Sequence, residues 1–144
     1  MRALSLSQPW ASLVVLGHKR LETRSWQTSH RGLLAIHAAR TFSATARLLC
    51  RHEPIGSLLR RAGIEDADQL PRGVILGVAR LVECVRVEEL ADVPEAERPL
   101  GDFSPGRWVW RFADAVPLSV PVSARGRLGI FDLPVSLPVL DGLP

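Results

Sequence analysis

The chain has 144 residues, of which 47% are hydrophobic and 23% charged. A length of this order makes one domain that buries roughly 70% of its unfolded surface, so a self-sufficient core needs neither metal nor disulfide. No apolar run approaches the roughly 20 residues that span a bilayer, which excludes a helical membrane protein. The net charge of +3 permits an anionic partner without requiring one.

In chain order, Arg2 to Leu6 alternates and reads as a short strand. Gln8 to Leu16 reads as a helix, with Pro9 in its first turn and Gly17 as its stop. Arg20 to Trp26 and Gly32 to Ala38 read as strands joined by a turn through Thr28 to Arg31. Ser43 can cap a helix over Ala44 to His52, interrupted near Pro54, with a further turn through Ile55 to Arg61 and a stop at Gly63. Gly73 to Val87 is dense in Val, Ile and Leu, and Gly77 inside it suggests a long bent strand. A helical turn is expected near Glu88 to Leu90, then a loop over Pro94 to Pro105. Arg107 to Phe112, Ala115 to Val122 and Leu128 to Leu133 complete the strands. The pattern predicts an α+β domain over residues 1–133, a small β-barrel of six or seven strands with two or three flanking helices. Residues 134–144 form a Pro-rich tail.

Cys50 and Cys84 follow no metal or redox spacing and read as small reduced hydrophobes. The four histidines lack zinc-ligand spacing, so neither a metal nor another cofactor is expected. The first six residues are too short and polar for a signal peptide, and a cytoplasmic location is the expectation.

The informative position is Lys19, a single lysine among 17 arginines. A place where a guanidinium cannot replace a compact ammonium would explain such an exception. Strand alternation sets Glu22, Arg24 and Trp26 on one face and Leu21, Thr23 and Ser25 on the other. The first set offers an acceptor, a donor fork and a stacking platform, the parts used to recognise an unpaired base. A lysine acting as base must fall from about 10.4 to roughly 7–8. Arg20 and Arg24 push Lys19 down and Glu22 pushes it up; with these expected to cancel, Lys19 is cast as a positioned cation on a phosphate or carbonyl oxygen. Around it, Ser7 and Gln8 begin a helix whose free N–H groups suit an anion. His37 ends a strand within reach of the same cleft, and the Ser104-Pro105-Gly106 turn can deliver Arg107 to a ligand. Trp10, Trp108, Trp110 and Phe112 read as core.

The segments Leu4 to Leu13, Gly17 to Trp26 and His30 to Gly32 resemble the ASCH domain, whose signature G-x-K-x-x-E-x-R is matched by Gly17, Lys19, Glu22 and Arg24. Later pieces are also similar: Arg72 to Gly77, Gly106 to Trp110 and Gly126 to Phe131. The resemblance implies a PUA-like β-barrel associated with RNA recognition, with the signature residues meeting a ligand in a cleft beside the barrel. Some small bacterial relatives hydrolyse the acetyl amide of acetylcytidine, and ribonuclease activity is attributed to others. In the amidohydrolase branch the proposed nucleophile is a Thr three residues after the motif lysine; here that place is held by Glu22, and Thr23 follows it.

Three functions fit these readings. The first is a binding module for RNA, single-stranded nucleic acid or a nucleoside, using Lys19, Glu22, Arg24 and Trp26, with Ser7, Gln8, His37 and Arg107 around them. The second is a hydrolase on a modified nucleoside or RNA, with Glu22 as general base and Lys19 or Arg24 stabilising developing negative charge. The third is a protein-interaction adaptor.

Overall fold

The computed structural model describes residues 1–134, 136 and 137. Six strands form one mixed sheet: β1 (Arg2–Leu6), β2 (Leu21–Arg24), β3 (Gly32–Ala38), β4 (Val74–Arg86), β5 (Trp108–Ser123) and β6 (Ile130–Asp132). Their order is β2-β5-β4-β3-β1-β6. Only the β1–β3 pair is parallel among the ladders formed. Three short helices accompany the sheet: α1 (Trp10–Val15), α2 (Ala44–Leu49) and α3 (Ile55–Arg61).

The α+β architecture agrees with the sequence pattern, but β2 and β6 remain at the two ends of the sheet and do not close it into a barrel. The expected strands Arg107 to Phe112 and Ala115 to Val122 are one 16-residue strand, β5. Asp114, at φ 52°, marks the irregularity that reads as a break in the pattern. Instead of ending the strand, bulges absorb it: the β4–β5 register shifts three times. Bulges bend and twist a ladder without abandoning it. Gly77 lies at one of these shifts, where an added Cβ would sit 2.4 Å from the Val116 carbonyl oxygen. There the two backbones approach too closely for any side chain.

The sheet buries both faces. On one side α1 seats Ala11, Val14 and Val15 against Leu34, Ile36 and Trp110. On the other, Ala3, Ala35, Ile75 and Val78 pack with Phe131. Leu137 joins this second cluster at 3% exposure, so this much of the expected tail is packed; residues 135 and 138–144 lie outside the described residues. α2 and α3 build a third cluster with Leu13, Cys50, Leu59 and Leu100. Fully burying one such aliphatic or aromatic side chain stabilises by about 1.5–3 kcal/mol. Cys50 and Cys84 are both free thiols.

α1 ends where expected. Gly17 takes φ 81°, and the amides of His18 and Lys19 both donate to the Leu13 carbonyl. This glycine turns the chain back beneath the helix and delivers Lys19 inward.

Candidate functional site

A cleft of about 690 Å³ runs along β2. Five consecutive residues, Glu22 to Trp26, line it, together with Ser7, Trp10, Asp102 and Arg107. Alternation predicts that Thr23 and Ser25 face away from Glu22. They nevertheless border the same space, because β2 ends the sheet and the cleft follows its unpaired edge rather than one face.

Lys19 lies outside the cleft's lining and is 1% exposed. Its ammonium donates to the carbonyls of Leu21, at 2.6 Å, and Leu100. It also stands 3.7 Å from Glu22 Oε1 and 5.3 Å from the Trp10 ring centroid. The compact ammonium thus ties β2 to the turn at Arg98–Leu100, in a space where a planar guanidinium has a different donor geometry. Burial pushes its pKa below the ordinary lysine value, against the pull of Glu22 and Glu97 and with help from Arg24. The balance of neighbouring charges expected from the sequence omitted burial, which is the largest influence.

Glu22 is the carboxylate at the cleft floor, its side chain 11% exposed. Lys19 is near one oxygen and Arg24 Nη2 is 3.5 Å from the other. The Thr23 amide donates to Oε1 at 3.0 Å. Arg24 also donates to the Ser5 carbonyl at 2.9 Å, reaching from β2 to β1. The Nε of Arg24 and that of Arg107 have no hydrogen-bond partner among the described protein groups. Arg107 is held at the cleft by Nη2 donating to the Thr23 carbonyl, 3.1 Å, and by Asp102 at 3.7 Å. The Thr23 hydroxyl accepts from the Asp102 amide at 3.1 Å.

Two indoles border the cleft. Trp26 is half-buried, packed edge-to-face on Trp110 with ring centroids 4.7 Å apart. The Trp110 Nε1–H donates to the Trp26 carbonyl at 3.2 Å, so the platform is anchored through a residue wholly in the core. Trp10, read from its sequence position as core, is instead half-buried and lines the cleft. Its place at the helix start rather than mid-helix was the available signal.

Other expected positions divide. Ser7 is exposed at the cleft. Gln8 is fully buried elsewhere: its amide nitrogen donates to Ser12 Oγ and the Pro71 carbonyl, both at 2.8 Å, and its Oε1 accepts from the Ser12 amide. Its task is to join α1 to the segment before β4, and it does not meet the cleft. At this helix start the amides of Ala11 and Ser12 are already taken, by the Ser7 carbonyl and Gln8 Oε1, and Pro9 at the cap position has no N–H.

His37 is 1% exposed and lies behind the cleft. Its Nε2 is 2.8 Å from the Ala124 carbonyl, which only accepts, so Nε2 carries the hydrogen. Nδ1 then accepts from the Ser5 hydroxyl at 2.9 Å. Burial pushes this imidazole below its ordinary pKa, and Arg40 pushes the same way. Glu97, unremarked in the sequence, is 6% exposed and accepts from the Arg20 and Leu21 amides. It secures the start of β2 from the far side of the chain.

Among the described residues, no three His, Cys, Asp or Glu side chains gather to hold a metal ion. Nor is any described helix long and apolar enough to cross a membrane.

The family model for the ASCH domain matches residues 4–121. Activating signal cointegrator 1 of Homo sapiens is 38% identical over 89 residues, 62% of this chain and 15% of that protein. The Mus musculus protein of the same name matches with the same identity and coverage. The chain therefore corresponds to a small part of these relatives. Among solved structures, the ASCH protein from Zymomonas mobilis is similar at 16% identity and a TM-score of 0.48, over 85% of this chain and 72% of that one.

Proposed function

The chain belongs to the ASCH domain family, and from that premise we propose that it recognises RNA or another single-stranded nucleic acid by taking an unpaired base into the β2 cleft. One observation carries the reading: Glu22, held by Lys19 and Arg24, presents a nearly buried acceptor in a cleft bordered by Trp10 and Trp26. A carboxylate in that position accepts from an exocyclic amine or a ribose hydroxyl. The indoles supply stacking, worth roughly 1–3 kcal/mol per base. Arg24 and Arg107 bring guanidinium groups to the same lining. Lys19, with its hydrogens directed at two backbone carbonyls, acts as a positioning residue that sets the place and charge of Glu22.

A hydrolytic role is favoured by a different detail. The Glu22 carboxylate neighbours the Thr23 residue, and both border the cleft. In that reading Glu22 takes the proton of an attacking water while Arg24 stabilises the developing oxyanion.

One experiment tests both. Purified protein is titrated with a panel of modified nucleosides and short RNAs, binding is read by calorimetry, and the incubated ligands are weighed by mass spectrometry. Binding lost in Glu22→Gln, without mass change, supports the recognition module. Conversion lost in that variant supports the hydrolase. Binding unaffected by Glu22→Gln refutes the base-in-cleft reading.

A further inference from the structure

Behind the β2 cleft lies a second, larger depression of about 1040 Å³. Ser5 and Arg24, hydrogen-bonded to each other, border both. Four arginines line the second depression: Arg24, Arg40, Arg125 and Arg127. No Asp or Glu is among its described lining residues. Arg40, Arg125 and Arg127 are exposed, and no described carboxylate lies within ion-pair distance of any of them. By contrast, Arg47, Arg60, Arg98 and Arg111 each meet an acid on the surface. The hydroxyl residues Ser5, Thr41 and Ser123 line the same groove.

The groove is built from closely fitted parts. Gly126, between Arg125 and Arg127, lies so near His37 that an added Cβ would be 2.7 Å from its Cε1. His37 holds this loop by its bond to the Ala124 carbonyl and holds β1 by its bond to Ser5. The β3–β4 register shifts between Ile36 and His37, a bulge that re-aims the ring. On the opposite wall, a Cβ on Gly73 would stand 3.0 Å from Arg40 Nε. Leu128, beside Arg127, is 99% exposed.

We infer that the ligand of the β2 cleft is one nucleotide within a single RNA strand, and that the strand's neighbouring phosphates lie along the Arg40, Arg125 and Arg127 groove. The inference rests on the cleft reading above and specifies its ligand: a polynucleotide rather than a free nucleoside. Guanidinium forks match phosphate oxygens, and among the described residues no carboxylate lines the groove to compete for them. Arg24, common to both depressions, sits where base and backbone part. A duplex keeps its bases stacked and cannot insert one beside Glu22 without unpairing it.

The test is fluorescence-anisotropy titration of the whole chain with a short labelled single-stranded RNA across a range of salt. Wild type is compared with Arg125→Gln/Arg127→Gln, with Arg125→Lys/Arg127→Lys and with Glu22→Gln. On single strands each phosphate contact contributes about 0.7 to the slope of log affinity against log salt. The Gln double variant should therefore lose about 1.4 from the wild-type slope and bind more weakly at low salt. The Lys variant should keep most of the slope, because a point charge still neutralises a phosphate. Titration of wild type with an uncharged nucleoside reports the cleft alone and should be nearly flat in salt.

An unchanged slope in the Gln variant, with binding still lost in Glu22→Gln, overturns the groove assignment and leaves the cleft reading standing. Binding that depends on the arginines but not on Glu22 refutes the cleft reading and the pairing of cleft with groove. Duplex RNA binding as tightly as the single strand overturns the choice of ligand. Circular dichroism of the exposed-arginine variants confirms that folding is not what changed.

Discussion

The two depressions joined at Arg24 use charge in opposite ways. At the β2 cleft the Glu22 carboxylate is nearly buried and matched: Lys19, beneath the lining at 1% exposure, balances it, and Arg24 approaches it from the other side. In the neighbouring groove Arg40, Arg125 and Arg127 are exposed and lack described carboxylate partners. A buried ion must be compensated within the fold, since leaving it alone costs several kcal/mol. An exposed one is solvated by water and can exchange that water for a ligand at little loss. The cleft therefore holds a fixed pattern of donors and acceptors suited to selecting a ligand. The groove holds uncommitted charge, suited to attracting one.

The largest effect expected from this contrast is on stability. Lys19→Met strands Glu22 and the carbonyls of Leu21 and Leu100, and should destabilise by about 3 kcal/mol in urea unfolding. That lies at the low end for a broken buried pair because Arg24 stays beside Glu22. The same variant should remove a pH dependence. With the folded pKa of Lys19 below 10.5, the unfolded state binds more protons between the two values. Stability in wild type should accordingly rise with pH through that window, and Lys19→Met should lack that contribution. A Lys19 variant as stable as wild type would break the comparison at its first term.

Next in size, Trp26→Ala should reduce RNA affinity by about 1–3 kcal/mol, a factor of roughly 5 to 150, in the anisotropy titration. Gly126→Val addresses the groove wall: with His37 only 2.7 Å from the added Cβ, about 1–3 kcal/mol of stability should be lost along with RNA affinity.

A smaller effect concerns His37, which faces the Ser5 hydroxyl, the Ala124 carbonyl and the charge of Arg40. Its folded pKa lies below the unfolded value of 6.5, so its contribution is complete above pH 6.5 and is lost as pH falls through the folded value. Thermal unfolding from neutral to mildly acidic pH should show this decline, and His37→Asn should flatten it. Smallest of all, Arg125→Gln/Arg127→Gln should shift unfolding by no more than about 0.5 kcal/mol, as surface changes usually do. A larger loss would mean that the groove arginines, like those of the cleft, already serve the fold.

Much of the scaffold was readable before folding. Gly17 as the end of α1, Gly77 as a bend and Ile55 to Arg61 as a helix all follow from local backbone preference, which distant residues do not alter. The break between Phe112 and Ala115 was misread because a bulge and a chain end look alike when the partner strand is unknown. Trp10 and Trp26 show the same limit for the site. Both occupy amphipathic positions, and only the Trp110 contact and the cleft's course along β2 decide that each is half open.

From residue identity and spacing alone came the family signature, the α+β pattern and the pairing of Glu22 with Arg24 on one face, because a strand repeats every two residues wherever it lies; Trp26, beyond the end of β2, is placed by its packing on Trp110. Tertiary structure decided that Lys19 is buried and Gln8 is remote from the cleft. It also decided that Arg24, Arg40, Arg125 and Arg127 share a groove. Those four come from three segments, brought together by the pairing of β1 with β3 and β6 and by the bond of Arg24 to Ser5, and a side chain's solvent and neighbours are properties of that assembly. Periodicity reports which way a residue points from its own strand; what waits there is settled by the rest of the chain.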